Sequence, residues 1–367
     1  MQTSTGKKRI GWIDALRGFT MILVVFSHVE IQGMGMTPGY TGVNDLLRMF
    51  RMPLFFFVSG FIAFRPDEVW NRSYYTSNLL KKLRVQVIPM LFFGLLYATF
   101  YYAHSMGVTP MRSVGLFFDD AMKMGYWFTE VLLAMFIIYY TVSFVLSRCS
   151  LAVRQGVLVA IAVGMYALAY GSTTQFANYR VANWLCLYNV LLYFQFFIFG
   201  NLVSCYRERV FRWLGNQYVS GAVLLLFAGL YAFYCTRSDV QHDYVVTPLS
   251  KLTAEAVRYL GILTVVMAFR HFEHFFSSET RIGSGLQYIG QRTLDIYLIH
   301  YFLLPSLPAL GLYFCQGGNM VVETTTAAAL SLLVIAFCLL ISNIIRISPF
   351  LAYWLLGVKR TGNQPCK

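Results

Sequence analysis

The sequence predicts an all-α membrane protein, a polytopic bundle of about ten transmembrane helices. The 367 residues are 57% hydrophobic and only 12% charged, which is about half the charged fraction of soluble domains. Aromatic residues make up 17% of the chain, as is typical of proteins with aromatic belts at two membrane interfaces. No polar stretch is long enough to form a soluble domain, so we expect one membrane-embedded domain over residues 1–367 without a soluble accessory domain.

Ten apolar stretches are long enough to cross a bilayer core, which takes about 20 helical residues. The first half of the chain holds stretches 12–31, 44–64, 84–103, 126–146 and 151–170. The second half holds stretches 185–205, 218–235, 255–269, 288–314 and 324–345. Glycine and proline interrupt several of them, which membrane helices tolerate where the backbone packs on neighbours or lines a cavity.

The net charge of +13 follows from membrane topology, so it gives no reason to expect a nucleic-acid partner. An even number of spans puts both termini on one side. The connections on the opposite side hold few basic residues, namely Arg112, Lys123, Arg180, Arg237 and Lys251. Most other lysines and arginines lie on the side of the termini, and the positive-inside rule makes that side cytoplasmic. The seven cysteines show no paired spacing, so we expect neither a metal site nor a disulfide framework.

The first span carries ionisable residues, which are costly in a bilayer and are therefore candidates for function. Arg17 and His28 are eleven positions apart, just over three helical turns, so they project from nearly the same face about 16 Å apart along the axis. Asp14 lies one turn before Arg17 and can orient its guanidinium. The alternative interpretation is a snorkelling Asp14–Arg17 anchor with an interfacial His28.

The second span contains a phenylalanine-rich run that begins at Phe50-Arg51-Met52-Pro53 and ends at Ser59-Gly60. Pro53 removes a backbone donor, and Ser59-Gly60 permits close approach of a second helix. Packing explains these residues but leaves Arg51 unexplained.

These two segments resemble the acyltransferase 3 family, and two later segments are also similar to it: Asp14-x-Leu16-Arg17-Gly18 with His28, Phe50-Arg51-Met52-Pro53 to Ser59-Gly60, Tyr126-Trp127-Phe128-Thr129-Glu130, and Thr293-Leu294-Asp295-Ile296-Tyr297-Leu298-Ile299-His300. Members are polytopic membrane proteins that transfer acyl groups, usually acetyl from acetyl-CoA, to hydroxyls of extracytoplasmic glycans. Thr129-Glu130 stands where members often have apolar residues, which makes Glu130 a candidate particular to this chain.

The resemblance implies an O-acyltransferase of the bacterial inner membrane with His28, Arg17, Asp14 and Arg51 in its catalytic site. His28 is the candidate general base, because an imidazole titrates near neutral pH. A covalent acyl-His intermediate is the variant of this mechanism. Arg51 is the candidate for stabilising the oxyanion, and Glu130 for fixing the tautomer of His28.

The donor would be acetyl-CoA or another acyl-CoA, with its head near the cytoplasmic face and its thioester near His28. Basic groups there can contact the phosphates by charge-assisted hydrogen bonds; the candidates are Lys81, Lys82, Arg84 and Arg17. Further candidates for donor or acceptor binding are Trp127, Ser59, Tyr297 and His300, the last of which packing explains equally well. The expected partners are acyl-CoA, a glycan or lipid-linked saccharide and membrane lipids, with no permanently bound cofactor.

Two other functions fit the composition. A proton-coupled secondary transporter also needs intramembrane Arg, His and Glu, although no matched half of the chain suggests the repeats common in transporters. A non-catalytic partner in polysaccharide export is the second alternative. Loss of acyl-CoA binding would favour either one over an enzyme.

Overall fold

The computed structural model describes residues 10–37, 42–66, 68–171, 179–237 and 248–358, and these residues form helices and connections without a strand. The described helices are α1 Gly11–His28, α2 Gly42–Ala63, α3 Arg72–Met106, α4 Pro110–Asp119, α5 Trp127–Val145, α6 Leu151–Gly171, α7 Arg180–Trp184, α8 Leu187–Cys205, α9 Arg207–Leu214, α10 Gln217–Arg237, α11 Pro248–His271, α12 Arg281–Gln291, α13 Thr293–Ile299, α14 Pro308–Cys315, α15 Met320–Ile347 and α16 Pro349–Leu355.

Among the described residues, 9 helices are long and apolar enough to cross a membrane, or 10 if a bent pair counts as one span. The nine helices correspond to nine of the predicted stretches, and the bent pair lies in the remaining stretch, 288–314. The predicted all-α polytopic bundle is confirmed. The basic residues of the two tails, which support the predicted orientation, are Lys7, Lys8, Arg9, Lys359, Arg360 and Lys367, and they lie outside the described residues.

The predicted span 288–314 is not one continuous helix. The chain there forms α12 and α13, a 3₁₀ turn at His300–Leu303 and then, after a break, α14. Pro305 and Pro308 cause the break, because proline lacks a backbone donor and disfavours helical geometry at the preceding residue.

The third predicted stretch, 84–103, lies within a longer helix. Helix α3 begins at Arg72, and Asn71 caps it by accepting a hydrogen bond from the Tyr74 backbone N–H at 2.8 Å. Hydropathy does not detect this polar first part, because a cap and helix-forming residues extend the helix beyond its apolar stretch. Lys81 and Lys82 therefore lie on a helix rather than in a loop.

The described chain divides into two compact units. The first unit consists of Met1–Val58, Tyr206–Thr293 and Leu304–Ala336. Within it α1 packs on α12 and α11, and α10 packs on α11. A Cβ at Gly18 would overlap the carbonyl oxygen of Leu286, and a Cβ at Gly290 would overlap that of Asp14. Glycines on both helices therefore let the α1 and α12 backbones touch.

The second unit consists of Ser59–Cys205, Leu294–Leu303 and Phe337–Lys367. Within it α3 packs on α4, α5 and α16, and α8 packs on α5 and α6. Gly60 touches the Phe197 carbonyl group. Buried Asn201 accepts a hydrogen bond from Gln155 Nε2 at 3.1 Å and donates one to the Gly60 carbonyl at 3.5 Å, so polar side chains join these helices inside the unit.

Candidate active site

Arg17 is held from two sides inside the first unit. Its Nη2 donates a hydrogen bond to Thr293 Oγ1 at 3.0 Å, and its Nη1 lies 3.6 Å from Asp14 Oδ1. The expected pairing of Asp14 with Arg17 is therefore present, and Thr293 adds a second contact from the fourth motif segment. The Arg17 side chain stays 32% exposed, so it can still meet an anionic group.

Thr293 is itself fixed by the end of α12. Its hydroxyl donates to the Gly290 carbonyl at 3.4 Å while it accepts from Arg17. Because Gly290 packs directly on the Asp14 backbone, the contact between α1 and α12 sets the positions of Asp14, Arg17 and Thr293 together.

His28 is the last residue of α1 and is half-buried. A π-helical turn, Val29–Gly33, follows it directly, and such turns inside helices often occur at functional sites. Neighbouring backbone fixes this turn, because the Leu307 N–H donates to the Gly33 carbonyl at 2.7 Å. The helical rise puts His28 about 16 Å along α1 from Arg17.

Arg51 belongs to a buried polar cluster beyond the end of α1. We call Glu30, Asn44, Asp45, Arg51 and Glu323 the Glu30 cluster. Glu30 lies beside Asn44, and the charges of Asp45, Arg51 and Glu323 are close enough to act on its carboxylate. Glu30 is 1% exposed, Asn44 1% and Glu323 4%. The first unit therefore holds four of the predicted catalytic residues, Asp14, Arg17, His28 and Arg51.

The third and fourth motif segments meet inside the second unit. Tyr297 Oη donates to the Gly125 carbonyl at 2.7 Å and accepts from the Phe128 backbone N–H at 3.2 Å. Tyr126 Oη donates to the Leu298 carbonyl at 2.9 Å. These contacts give Tyr297 a structural role that fixes the start of α5, beside the binding role that was predicted for it.

His300 lies at the start of the 3₁₀ turn and is fully buried. Its Nδ1 is 3.0 Å from the Ile296 carbonyl and 2.9 Å from the Tyr297 carbonyl. Both neighbours are acceptors, so Nδ1 carries the proton. These contacts agree with the interpretation of His300 as a packing residue, and its predicted binding role remains a prediction.

Glu130 lies on the first turn of α5, where Cys186 Sγ is 3.5 Å from Glu130 Oε2. The Cys186 thiol donates to this carboxylate. Lys123 also acts on the Glu130 charge. The predicted role of Glu130 in fixing the tautomer of His28 remains a prediction.

Trp127 stacks on Tyr193 with ring centroids 5.5 Å apart. Ser59 lies on α2 beside Gly60 and is partly buried. The stacked ring pair is typical of packing, and the predicted binding roles of Trp127 and Ser59 remain predictions.

The three basic residues predicted to contact CoA phosphates differ in environment. Lys81 is exposed. Lys82 Nζ lies 3.4 Å above the Phe136 ring centroid. Arg84 donates to Tyr353 Oη at 2.8 Å and stacks on the same ring. Lys82 and Arg84 thus have neighbours inside the second unit, which leaves Lys81 as the most accessible of the three.

Four residues were not predicted from the sequence as site or structural residues, namely Thr293, Glu30, Asn44 and Lys123. Lys123 was counted as a loop cation, but it is fully buried and its ammonium donates to the carbonyls of Phe118, Asp120 and Asn183 at 3.0, 3.0 and 2.7 Å. Glu30 is only two residues from His28, and that spacing was the one available signal.

The long apolar helices and the ionisable side chains on α1 define an integral membrane protein of the all-α class. A family model described as an acyltransferase domain matches residues 10–344. The chain belongs to the acyltransferase 3 family, so the predicted resemblance is confirmed and the protein is an acyltransferase. No curated protein and no solved structure matches the chain.

Proposed function

We propose that the protein transfers an acyl group, with acetyl as the first candidate, from cytoplasmic acyl-CoA to a hydroxyl of an extracytoplasmic or lipid-linked glycan. In this proposal it acts in the bacterial cytoplasmic membrane with both termini in the cytoplasm. One observation carries the proposal. Helix α1 holds a fixed cation, Arg17, and ends at a titratable base, His28, about 16 Å further along.

The donor fits this arrangement by length and charge. CoA has a phosphorylated head and an extended pantetheine arm, and its thioester lies at the far end of that arm. Arg17 contacts a head phosphate through its exposed part, because a guanidinium binds phosphate by charge-assisted, often bidentate hydrogen bonds. The arm then runs along α1 and brings the thioester carbonyl to His28.

The transfer step needs one base and one oxyanion stabiliser. His28 takes the proton from the acceptor hydroxyl while that oxygen attacks the thioester carbonyl. The tetrahedral intermediate collapses as its carbon–sulfur bond breaks, and the proton passes to the departing CoA thiolate. The products are a glycan ester and free CoA, with no change in oxidation state.

Arg51 is proposed to stabilise the oxyanion, because a fixed cation in a poorly solvated site strongly favours developing negative charge. It lies in the Glu30 cluster, just beyond His28 in the first unit, and acts on the Glu30 charge. Asp14 and Thr293 are positioning residues in this mechanism, since both act through Arg17.

Binding of labelled acetyl-CoA to the purified protein in lipid nanodiscs tests the donor. We expect saturable binding that free CoA competes, and weaker binding in Arg17→Ala. The control is Arg112→Ala, because Arg112 is an exposed residue on α4. Absence of binding in folded wild-type protein would contradict the proposed donor and favour the transporter alternative.

A further inference from the structure

The Glu30 cluster holds polar atoms that are buried without hydrogen bonds. Asn44 lies beside Glu30, yet Asn44 Nδ2, Asn44 Oδ1 and Glu30 Oε2 are all buried and complete no hydrogen bond. Ser27 Oγ, one residue before His28, is also buried without a hydrogen bond. Two neighbouring helical segments of the first unit thus bring unsatisfied donors and acceptors together.

Such atoms are expensive, since a buried polar group without a partner loses its water and gains nothing in return. Most buried polar groups in proteins are satisfied. The same chain satisfies other buried side chains of this kind, such as Asn201, which bonds to Gln155 and to the Gly60 carbonyl. Other described residues also hold a buried polar atom without a hydrogen bond, such as Ser143 Oγ and Gln155 Oε1, but each of them holds one, whereas Glu30 and Asn44 together hold three. This concentration indicates a place where a ligand completes the hydrogen bonds.

The charges of the cluster select the chemical class of that ligand. The carboxylates of Glu30, Asp45 and Glu323 repel a phosphate or another anion, and the guanidinium of Arg51 repels a metal ion. A neutral group that both donates and accepts hydrogen bonds fits all four side chains. Glu30 Oε2 accepts, Asn44 Nδ2 donates and Asn44 Oδ1 accepts, which is the pattern that saccharide hydroxyls satisfy.

The position of Glu30 connects this cluster with the transfer step. Glu30 lies two residues after His28 in the π-helical turn, so their Cα atoms are at most about 7.6 Å apart. Side chains two positions apart on a helix project from different faces, so a saccharide that contacts Glu30 reaches the His28 imidazole around the end of α1, through a neighbouring sugar unit.

We infer that Glu30 and Asn44 form the acceptor subsite, which binds hydroxyl groups of the saccharide next to the one that is acylated. This inference rests on the proposed function and adds the residues that select and orient the acceptor. Asn44 is a binding residue in this account, and it takes no part in holding the fold or the donor.

Asn44→Leu separates the acceptor role from a structural one. The substitution keeps the branched shape and replaces two unsatisfied polar atoms by methyl groups, so the thermal midpoint in nanodiscs should stay equal or rise. Labelled acetyl-CoA should bind within twofold of wild type. The glycan ester content is measured as the acid that alkali releases from total surface glycan, in cells that carry the variant as their only copy of the protein. This ester content should fall by about tenfold or more per folded protein.

Asn201→Leu is the matched control. It makes the same change at another buried asparagine, one whose hydrogen bonds are made. Its thermal midpoint should fall, while the ester content per folded protein should equal wild type.

A lower midpoint in Asn44→Leu, or a wild-type ester content, would overturn the acceptor subsite. Failure of the proposed function looks different. In that case wild-type protein neither binds labelled acetyl-CoA nor raises glycan ester content above that of cells lacking the protein, and the acceptor subsite falls with it.

Discussion

Arg17 Nη2 donates a hydrogen bond to Thr293 Oγ1 at 3.0 Å, across 276 positions of sequence. Both residues belong to the first unit, and Thr293 is the first residue of the fourth motif segment. Thr293, the first residue of α13, therefore positions Arg17. A guanidinium that two neighbours already hold loses less side-chain entropy when it binds a phosphate. Thr293 is therefore the residue through which the fourth segment acts on the proposed donor site.

Thr293→Val should weaken donor use while the protein stays folded. Valine keeps the shape and removes the hydroxyl, and a hydrogen bond to a charged group contributes about 1.5–3 kcal/mol. We expect kcat/KM for acyl-CoA to fall by roughly ten- to hundredfold. Thr293→Ser keeps the hydroxyl and should restore most of the activity. Equal loss in both variants would show that the Arg17 contact is not what matters.

Two glycines on α12 should respond to alanine in opposite ways. Gly290→Ala forces a Cβ against the Asp14 carbonyl oxygen, and such overpacking destabilises by about 1–3 kcal/mol or more. A Cβ at Gly285, on the same helix, meets nothing within 4 Å, so Gly285→Ala should be neutral or stabilise by up to about 1 kcal/mol. Thermal unfolding in nanodiscs distinguishes them. Similar midpoints for the two variants would contradict the close packing of α1 on α12.

Asp295, in the centre of the fourth segment, should matter for stability rather than for transfer. Its Oδ2 accepts from Ser342 Oγ at 2.5 Å and from Arg346 Nη2 at 2.5 Å, and its side chain is 3% exposed. Removing one partner of a buried ion pair costs about 3–5 kcal/mol, and the lower end applies because Arg346 is 24% exposed.

The variants to compare are Asp295→Leu and the double variant Asp295→Leu with Arg346→Met. The double variant leaves no uncompensated charge, so it should recover part of the lost thermal midpoint. Transfer per folded molecule should remain at the wild-type level in both variants. A normal midpoint with lost transfer would instead make Asp295 part of the reaction.

Stability should depend on pH at the ion pair between α4 and α7. Asp119 accepts two hydrogen bonds from Arg180, at 3.0 and 2.8 Å, and one from Trp184 Nε1 at 2.8 Å. The Arg180 hydrogen bonds, followed by that of Trp184, hold the pKa of Asp119 below its ordinary value. The stabilisation is therefore complete above the ordinary aspartate pKa of about 4 and is lost as pH falls through the lower folded value.

Asp119→Asn measures how much the charge of Asp119 contributes to stability. Its thermal midpoint should lie slightly below that of wild type at pH 7, with a small gap because the pair is exposed and screened. The gap should narrow below pH of about 4 as wild-type Asp119 takes up its proton. A gap that stays constant over this range would mean that the carboxylate charge contributes nothing.

Hydropathy predicted the spans because each bilayer-crossing helix is a continuous apolar run, as at α5 and α6. It failed where a helix extends beyond that run, as α3 does from Arg72, and where proline breaks it, as at Pro305. Both failures depend on local backbone chemistry that a window of average hydropathy does not register.

The candidate site was predictable only where its residues are close in sequence. Asp14 and Arg17 are one turn apart, so their contact follows from helix geometry. Thr293 reaches Arg17 from a distant segment, and no spacing rule predicts that contact. Glu30 and Asn44 occur near the ends of two predicted spans, where polar residues are ordinary, and only the packing shows that both are buried.

The most direct test of the central claim is acyl transfer by His28→Ala. Purified protein in nanodiscs, supplied with labelled acetyl-CoA and glycan extracted from the host membrane, should transfer label to glycan in wild type. His28→Ala should bind donor normally and transfer about 10²- to 10⁴-fold more slowly, whereas the exposed His104→Ala should match wild type. Wild-type turnover in a folded His28→Ala protein would contradict the account.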